Sequence, residues 1–187
     1  MRIARELPAL PDPLRPGVPR YSRRDWPAYR YVPGRDPHPN RDPRGHSYTP
    51  GLCLPRQEAW HAEDWPRLDA WRYGADLFNQ FYFWEAHDSW EGLWAVALRG
   101  SPPALLLQGL IQVAAALLKV HAGVVAGASR LSLQGLQKLS AAAEMQSTLM
   151  GIDLHELQAE LTRYFEPLSA GRLPLLDESV PVLRLEA

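Results

Sequence analysis

The chain has 187 residues, enough for one domain with an appendage. A formal net charge of −1 excludes a global pull toward nucleic acid or an anionic membrane, while a hydrophobic fraction of 46% is ordinary for a globular core. Cys53 is the lone cysteine, which excludes an internal disulfide and fits a reducing compartment.

Met1 to Gly17 holds no long apolar run, so no secretory signal is expected there and a soluble cytoplasmic protein is. Residues 1–56 carry 12 of the 18 prolines, with 11 arginines against 5 acids, a local charge of +6; residues 57–187 carry −7. Proline removes amide donors and restricts the residue before it, so residues 1–56 are expected as an extended, basic, turn-rich arm. Trp26, Tyr29, Tyr31 and Tyr48 give that arm anchors, and the acidic body favours its lying across the helices. A mobile tail is the alternative.

A first helix is expected from a cap at Asp64, with Pro66 in its first turn, to about Asn79. A second runs from about Phe83 to Arg99. Gly100 to Pro103 then breaks the chain, and Ser101 is the next N-cap. The third helix ends at Gly123, a residue suited to a left-handed C-terminal turn. Its apolar stretch, Ala104 to Ala128, contains Gln108, Gln112, Lys119 and His121, so it reads as a core helix rather than a membrane span. A fourth helix spans about Val125 to Met145. Asp153 and Glu156 start a fifth that ends near Gly171. No strand series or repeat is apparent. The expected fold is an all-α bundle of about five helices over residues 57–171, with the extended arm before it and a short extended tail over residues 172–187.

Phe81 to Trp94, FYFWEAHDSWEGLW, packs six aromatic residues together with Glu85, His87, Asp88 and Glu91. At about 100° per residue, Trp90, Phe83, Trp94, Leu98 and Trp84 fall between about 140° and 260° from Glu85, a stripe that faces a core. His87 and Glu91 lie inside that stripe, four residues apart, so their side chains can meet. Asp88 sits at its edge. Glu85 points away, in the first turn, where the helix dipole favours a carboxylate. A buried histidine and glutamate need partners. A structural pair, a polar pocket walled by Trp84 and Trp94, and a metal site all satisfy that need. On the third helix Gln108, Gln112, Ala115 and Lys119 form one polar stripe, which faces either His87 and Glu91 or solvent. His121 lies off it.

The arm segment RYVPGRDPHPNRDPRGHSY contains His38, Asp42 and His46. Spaced histidines on stiff backbone can present ligands, but the spacing matches no strong metal signature, and a structural arm is the preferred reading. There is no Gly-rich phosphate loop and no nucleophile elbow. Aromatics interleaved with arginines hint at nucleic acid; the prolines and the acidic body argue against it.

FNQFYFWEAHDSWEGLW, LQGLIQVAAALLK and GVVAGASRL occur in order, and the chain resembles family 309 of the domains of unknown function over about Tyr73 to Leu139. The Pro/Arg-rich arm is similar to an extension in one branch of that family. The resemblance implies a helical fold and picks out Phe78, Asn79, Glu85, His87, Asp88, Glu91, Trp94, Gln108, Gln112 and Gly127. Members carry the label of metal-dependent hydrolases. This chain departs from the family pattern: Phe81 stands for a glycine, Val124 for an asparagine and Lys119 for a histidine. Loss of the histidine weakens a metal site, and Lys119 is then a candidate base or anion partner.

Two functions follow as expectations. In one, His87 and Glu91, with Asp88 or Glu85 and joined by His38 or His46, hold a divalent zinc, iron or manganese ion that activates water. Gln108 and Gln112 then orient a small substrate; a metal-free version uses the His87–Glu91 pair for acid–base chemistry. In the other, narrowly preferred, the chain is a non-enzymatic helical module that binds a small molecule or protein partner, with the tryptophan-lined helix as ligand wall or homodimer face.

Overall fold

Pro66 governs how the helical body begins. The structure of the protein, a computed structural model, describes Arg15, residues 17–51 and residues 58–186. Cys53, the expected arm–body boundary at residue 56, and Met1 to Leu14 lie outside the described residues. The described chain is mostly helical. It forms a short 3-10 helix, Ala62–Arg67, and then α1, Asp69–Asn79. The single helix expected from Asp64 is therefore broken. Pro66 lies inside the 3-10 segment and has no N–H to give an α-type ladder. Leu68 is extended at ψ 92°, and its carbonyl accepts from Trp71 and Arg72 to start α1.

The turn after α1 is a Schellman motif. Tyr82 N–H donates to Leu77 O at 2.8 Å and Phe81 N–H to Phe78 O at 3.1 Å. Phe81 occupies the left-handed position, φ 65°, where glycine is the usual residue. Its strain, of order 1–2 kcal/mol, is offset by burial of the ring, 2% exposed and 5.8 Å from Phe83.

Helix α2 covers Phe83–Val96, ending before the expected Arg99. The connection to α3 must reverse the chain: Ala97 is extended, Gly100 is left-handed, and Ser101 N–H bonds Leu98 O. Helix α3 is Pro102–His121, and Ser101 Oγ accepts from Ala104 N–H, as the spacing predicts. It closes at Gly123, φ 72°. Helix α4 is Val125–Met145. A two-residue hairpin follows, β1 Thr148–Leu149 and β2 Ile152–Asp153, antiparallel. It was not anticipated; Met150 and Gly151, both at positive φ, make its tight turn. Asp153 caps α5, Leu154–Phe165, accepting from His155 and Glu156 N–H. The expected continuation to Gly171 tightens instead into a 3-10 helix, Glu166–Ala170, because Pro167 cannot extend the α ladder.

Two glycine contacts set the packing. At Gly74 of α1 a Cβ would stand 2.1 Å from Trp90 Nε1, so the indole of α2 lies on bare backbone. Between α3 and α4, a Cβ on Gly135 would meet Gly109 O at 2.9 Å. Helix α3 has the length and apolarity of a membrane span, and most of its apolar side chains are buried within the protein. Leu106, Leu107, Leu110 and Leu117 of α3 join Trp71, Phe78, Phe83 and Trp90 in the core.

Buried polar side chains of α1 hold the irregular segments. Asp76, 1% exposed, accepts Tyr21 N–H at 2.8 Å and Ser22 N–H at 2.7 Å. Asn79 accepts Leu183 N–H at 2.8 Å and donates to Leu183 O at 2.9 Å. Gln80, just past the end of α1, accepts Arg15 N–H at 2.9 Å. Burial raises the Asp76 carboxyl above the usual range, and the two arm amides act against that shift.

Candidate functional site

The N-terminal half of α2 meets the arm. Glu85, expected to point away from the apolar stripe, is 6% exposed and belongs to the buried face of α2, where it meets the arm. Its Oε1 accepts Tyr31 N–H at 2.9 Å and lies 3.1 Å from His46 Nε2. His46 is fixed on its other side by Ser47 Oγ at 2.8 Å and by the Tyr29 ring, 4.6 Å away edge-on. The Tyr29 hydroxyl in turn donates to Pro37 O at 2.7 Å. Glu85 Oε2 is buried and has no hydrogen-bond partner among the described residues. Asp88 is exposed, and Asn40 of the arm donates to it at 3.4 Å.

His38 takes part as an aromatic rather than as a ligand: its ring packs edge-on to Trp84 at 5.2 Å and near Tyr31 at 5.3 Å. Trp84 is thereby covered by the arm. Trp94 lies ten positions further along α2, about 15 Å by helix rise, and is 39% exposed. The two tryptophans do not wall one small pocket.

His87 and Glu91 do meet, with Nε2 to Oε1 at 3.2 Å. The expectation that both are buried is corrected: their side chains are 25% and 52% exposed. The buried face of α2 is Phe83, Glu85, Ala86, Trp90 and Leu93, so the stripe centred on the tryptophans was rotated from the true one. His87, Glu91 and Trp94 stand at i, i+4 and i+7 on its flank. His87 Nδ1 is buried without a partner among the described residues, and so is Gln112 Oε1. α2 and α3 are packed neighbours joined by a short reversal. Nine residues before the end of α2 and ten after the start of α3, His87 and Gln112 sit at similar height. Gln108 is half-buried. Lys119 is exposed, and its Cγ would lie 3.1 Å from a Cβ on Gly127; its stem therefore runs over α4 near the α3–α4 turn, away from the middle of α2.

His121, set aside in the sequence, is 2% exposed. Burial, assisted by the Arg35 and Arg30 cations of the arm and opposed by Asp36, pulls its pKa down to about 4. It is a neutral imidazole under the arm. No local pattern marks it, because the groups that perturb it are more than eighty residues earlier.

The metal reading requires converging donors. Among the described residues no group of three or more His, Cys, Asp and Glu side chains is placed to hold a metal ion. His46 pairs with Glu85 and His87 with Glu91, as two separate couples. The donor set does not fit the metal centre that the hydrolase label implies.

These features define a helical bundle whose buried polar side chains clasp its own arm and tail, leaving one polar couple open at the surface. Residues 71–131 match the family described as Domain of unknown function (DUF309). No curated protein matches the chain.

Proposed function

We propose that the protein is a non-enzymatic interaction module, and that its working surface is the flank of α2 bearing His87, Glu91 and Trp94 beside Gln112 of α3. The carrying observation is that the His87–Glu91 couple, with side chains 25% and 52% exposed, has no hydrogen bond to the arm or tail among the described residues, while the buried Glu85 and Asn79 are engaged by them. Small-molecule sites are concave and enclose their ligand. This surface is instead a helix flank with an exposed tryptophan, followed by Leu98, 80% exposed. It suits a protein partner that supplies an apolar contact for Trp94 and a hydrogen-bonding group for the His87–Glu91 couple. A second copy of the chain is the first partner to test, in a reducing cytoplasmic setting. Sedimentation velocity over a concentration series, on wild type and on Trp94→Ala with Leu98→Ser, tests it. Self-association that the double variant abolishes supports the homodimer. A wild type that stays monomeric directs the search to another protein. Wild-type association that the double variant leaves intact rejects this surface.

A further inference from the structure

An open groove of about 470 Å³ runs between α5, with the 3-10 helix that follows it, and the C-terminal tail. Arg15, 7% exposed, lines it. Its Nη2 donates to Glu178 O and to Val180 O, both at 2.8 Å, and its guanidinium lies 5.0 Å over the Phe81 ring. Nη1 is buried and has no hydrogen-bond partner among the described residues. Burial, the largest influence, lowers the Arg15 pKa; Glu178 opposes this and Arg184 adds to it. Arg15 is thus a desolvated cation at the groove wall with a donor left unused, and its charge favours an anion held beside it.

The rest of the lining says which anion. Arg15, Arg163 and Arg184 face Glu160 and Glu178, a local balance of +1. Glu160 is already 3.7 Å from Arg184. A dianion would meet two carboxylates with too little compensating charge, whereas a monoanion matches the balance. Leu175, Val180 and Val182, with three prolines, give the groove an apolar wall, and the Tyr164 and Ser179 hydroxyls that also line it are already bonded to Leu175 O and Asp177. Leu175 is 70% exposed and stands at the mouth.

We propose that this groove binds a small monocarboxylate with an apolar body, its carboxylate drawn to Arg15 and Arg163 and its body lying on Leu175 and Val182. The site is independent of the α2 surface and stands or falls separately.

The test titrates the full chain with hexanoate, hexylamine and inorganic phosphate, followed by calorimetry and by amide NMR shifts. Arg163→Glu inverts an exposed rim charge and Val182→Trp fills the groove; circular dichroism checks that both variants fold. Hexanoate should shift the Leu175, Val180 and Val182 resonances, and its affinity should fall at least about tenfold in each variant. Hexylamine and phosphate should each bind at least about tenfold more weakly than hexanoate. Hexylamine binding as well as hexanoate would show an apolar groove with no use for the anion. Phosphate binding as well as hexanoate would show a plain anion site. Either result overturns the proposal, as does hexanoate producing no shift at these residues or binding both variants unchanged.

Discussion

Asn79 is the clearest point at which one side chain holds a remote segment. It is fully buried, and both polar atoms of its amide are used on the backbone of Leu183, more than a hundred positions later. Asn79→Ala leaves the Leu183 N–H and C=O without partners. If the tail stays in place, each orphaned group costs about 1–3 kcal/mol, so about 2–6 kcal/mol together. If the tail lifts to reach water, it withdraws Val180 and Leu183, each 1% exposed. That forfeits about 1.5–3 kcal/mol of burial apiece. The chain takes the smaller of the two losses, and about 3 kcal/mol is expected. Urea unfolding followed by tryptophan fluorescence measures it. Amide hydrogen exchange at Leu183 and Leu185 reports whether the tail lifted; the Leu185 amide donates to the Tyr21 hydroxyl at 2.8 Å. A loss below about 1 kcal/mol with the Leu183 amide still protected would refute the reasoning.

The low pKa of His121 makes stability depend on acid. The unfolded chain takes up a proton near pH 6.5 and the folded one near 4, so stability falls as pH drops through that window. Discounted for screening, the loss is about 2 kcal/mol, and His121→Phe should remove it; parallel pH profiles of the two proteins would disprove the assignment. Gly74→Ala drives a methyl into the Trp90 indole and should cost about 2–3 kcal/mol, read as a lowered Tm, whereas unchanged melting would mean that α1 and α2 have room to separate. Protein purified without a tag should melt at the same temperature before and after chelator treatment, and a fall in Tm on chelation would restore a metal centre to the account.

The helical body was legible where a local signal decides the structure. Ser101 and Asp153 cap helices from a single side chain, and Gly123 closes α3 for want of a Cβ. Pro66 and Pro167 were visible too, but the shift to 3-10 geometry around them depends on which carbonyls the neighbouring segments leave free. The helix wheel of α2 erred because tryptophan is large and amphipathic: Trp94 stays 39% exposed while Ala86 is fully buried, and the small residue marks the core better. Lys119 seemed to continue the stripe of Gln108 and Gln112, yet the stripe outruns α2 and its last member runs over Gly127. The role of Glu85 was not legible. Its partners, Tyr31 and His46, lie 54 and 39 positions earlier, on backbone whose course proline-rich turns set, and helical periodicity carries no trace of such a contact.

Side-by-side unfolding of Glu85→Ala and His87→Ala tests the division between residues that clasp the arm and residues left for a partner. Glu85 is buried against Tyr31 and His46, whose polar atoms lose their acceptor in the first variant. The account predicts a loss of about 2 kcal/mol or more there, with new protease cleavage in residues 29–48. His87 makes one half-exposed contact with Glu91 and should cost within about 0.5 kcal/mol. The reverse order, with Glu85→Ala neutral and His87→Ala losing 1 to 3 kcal/mol or so, would contradict it and make the His87–Glu91 couple a structural element of the fold.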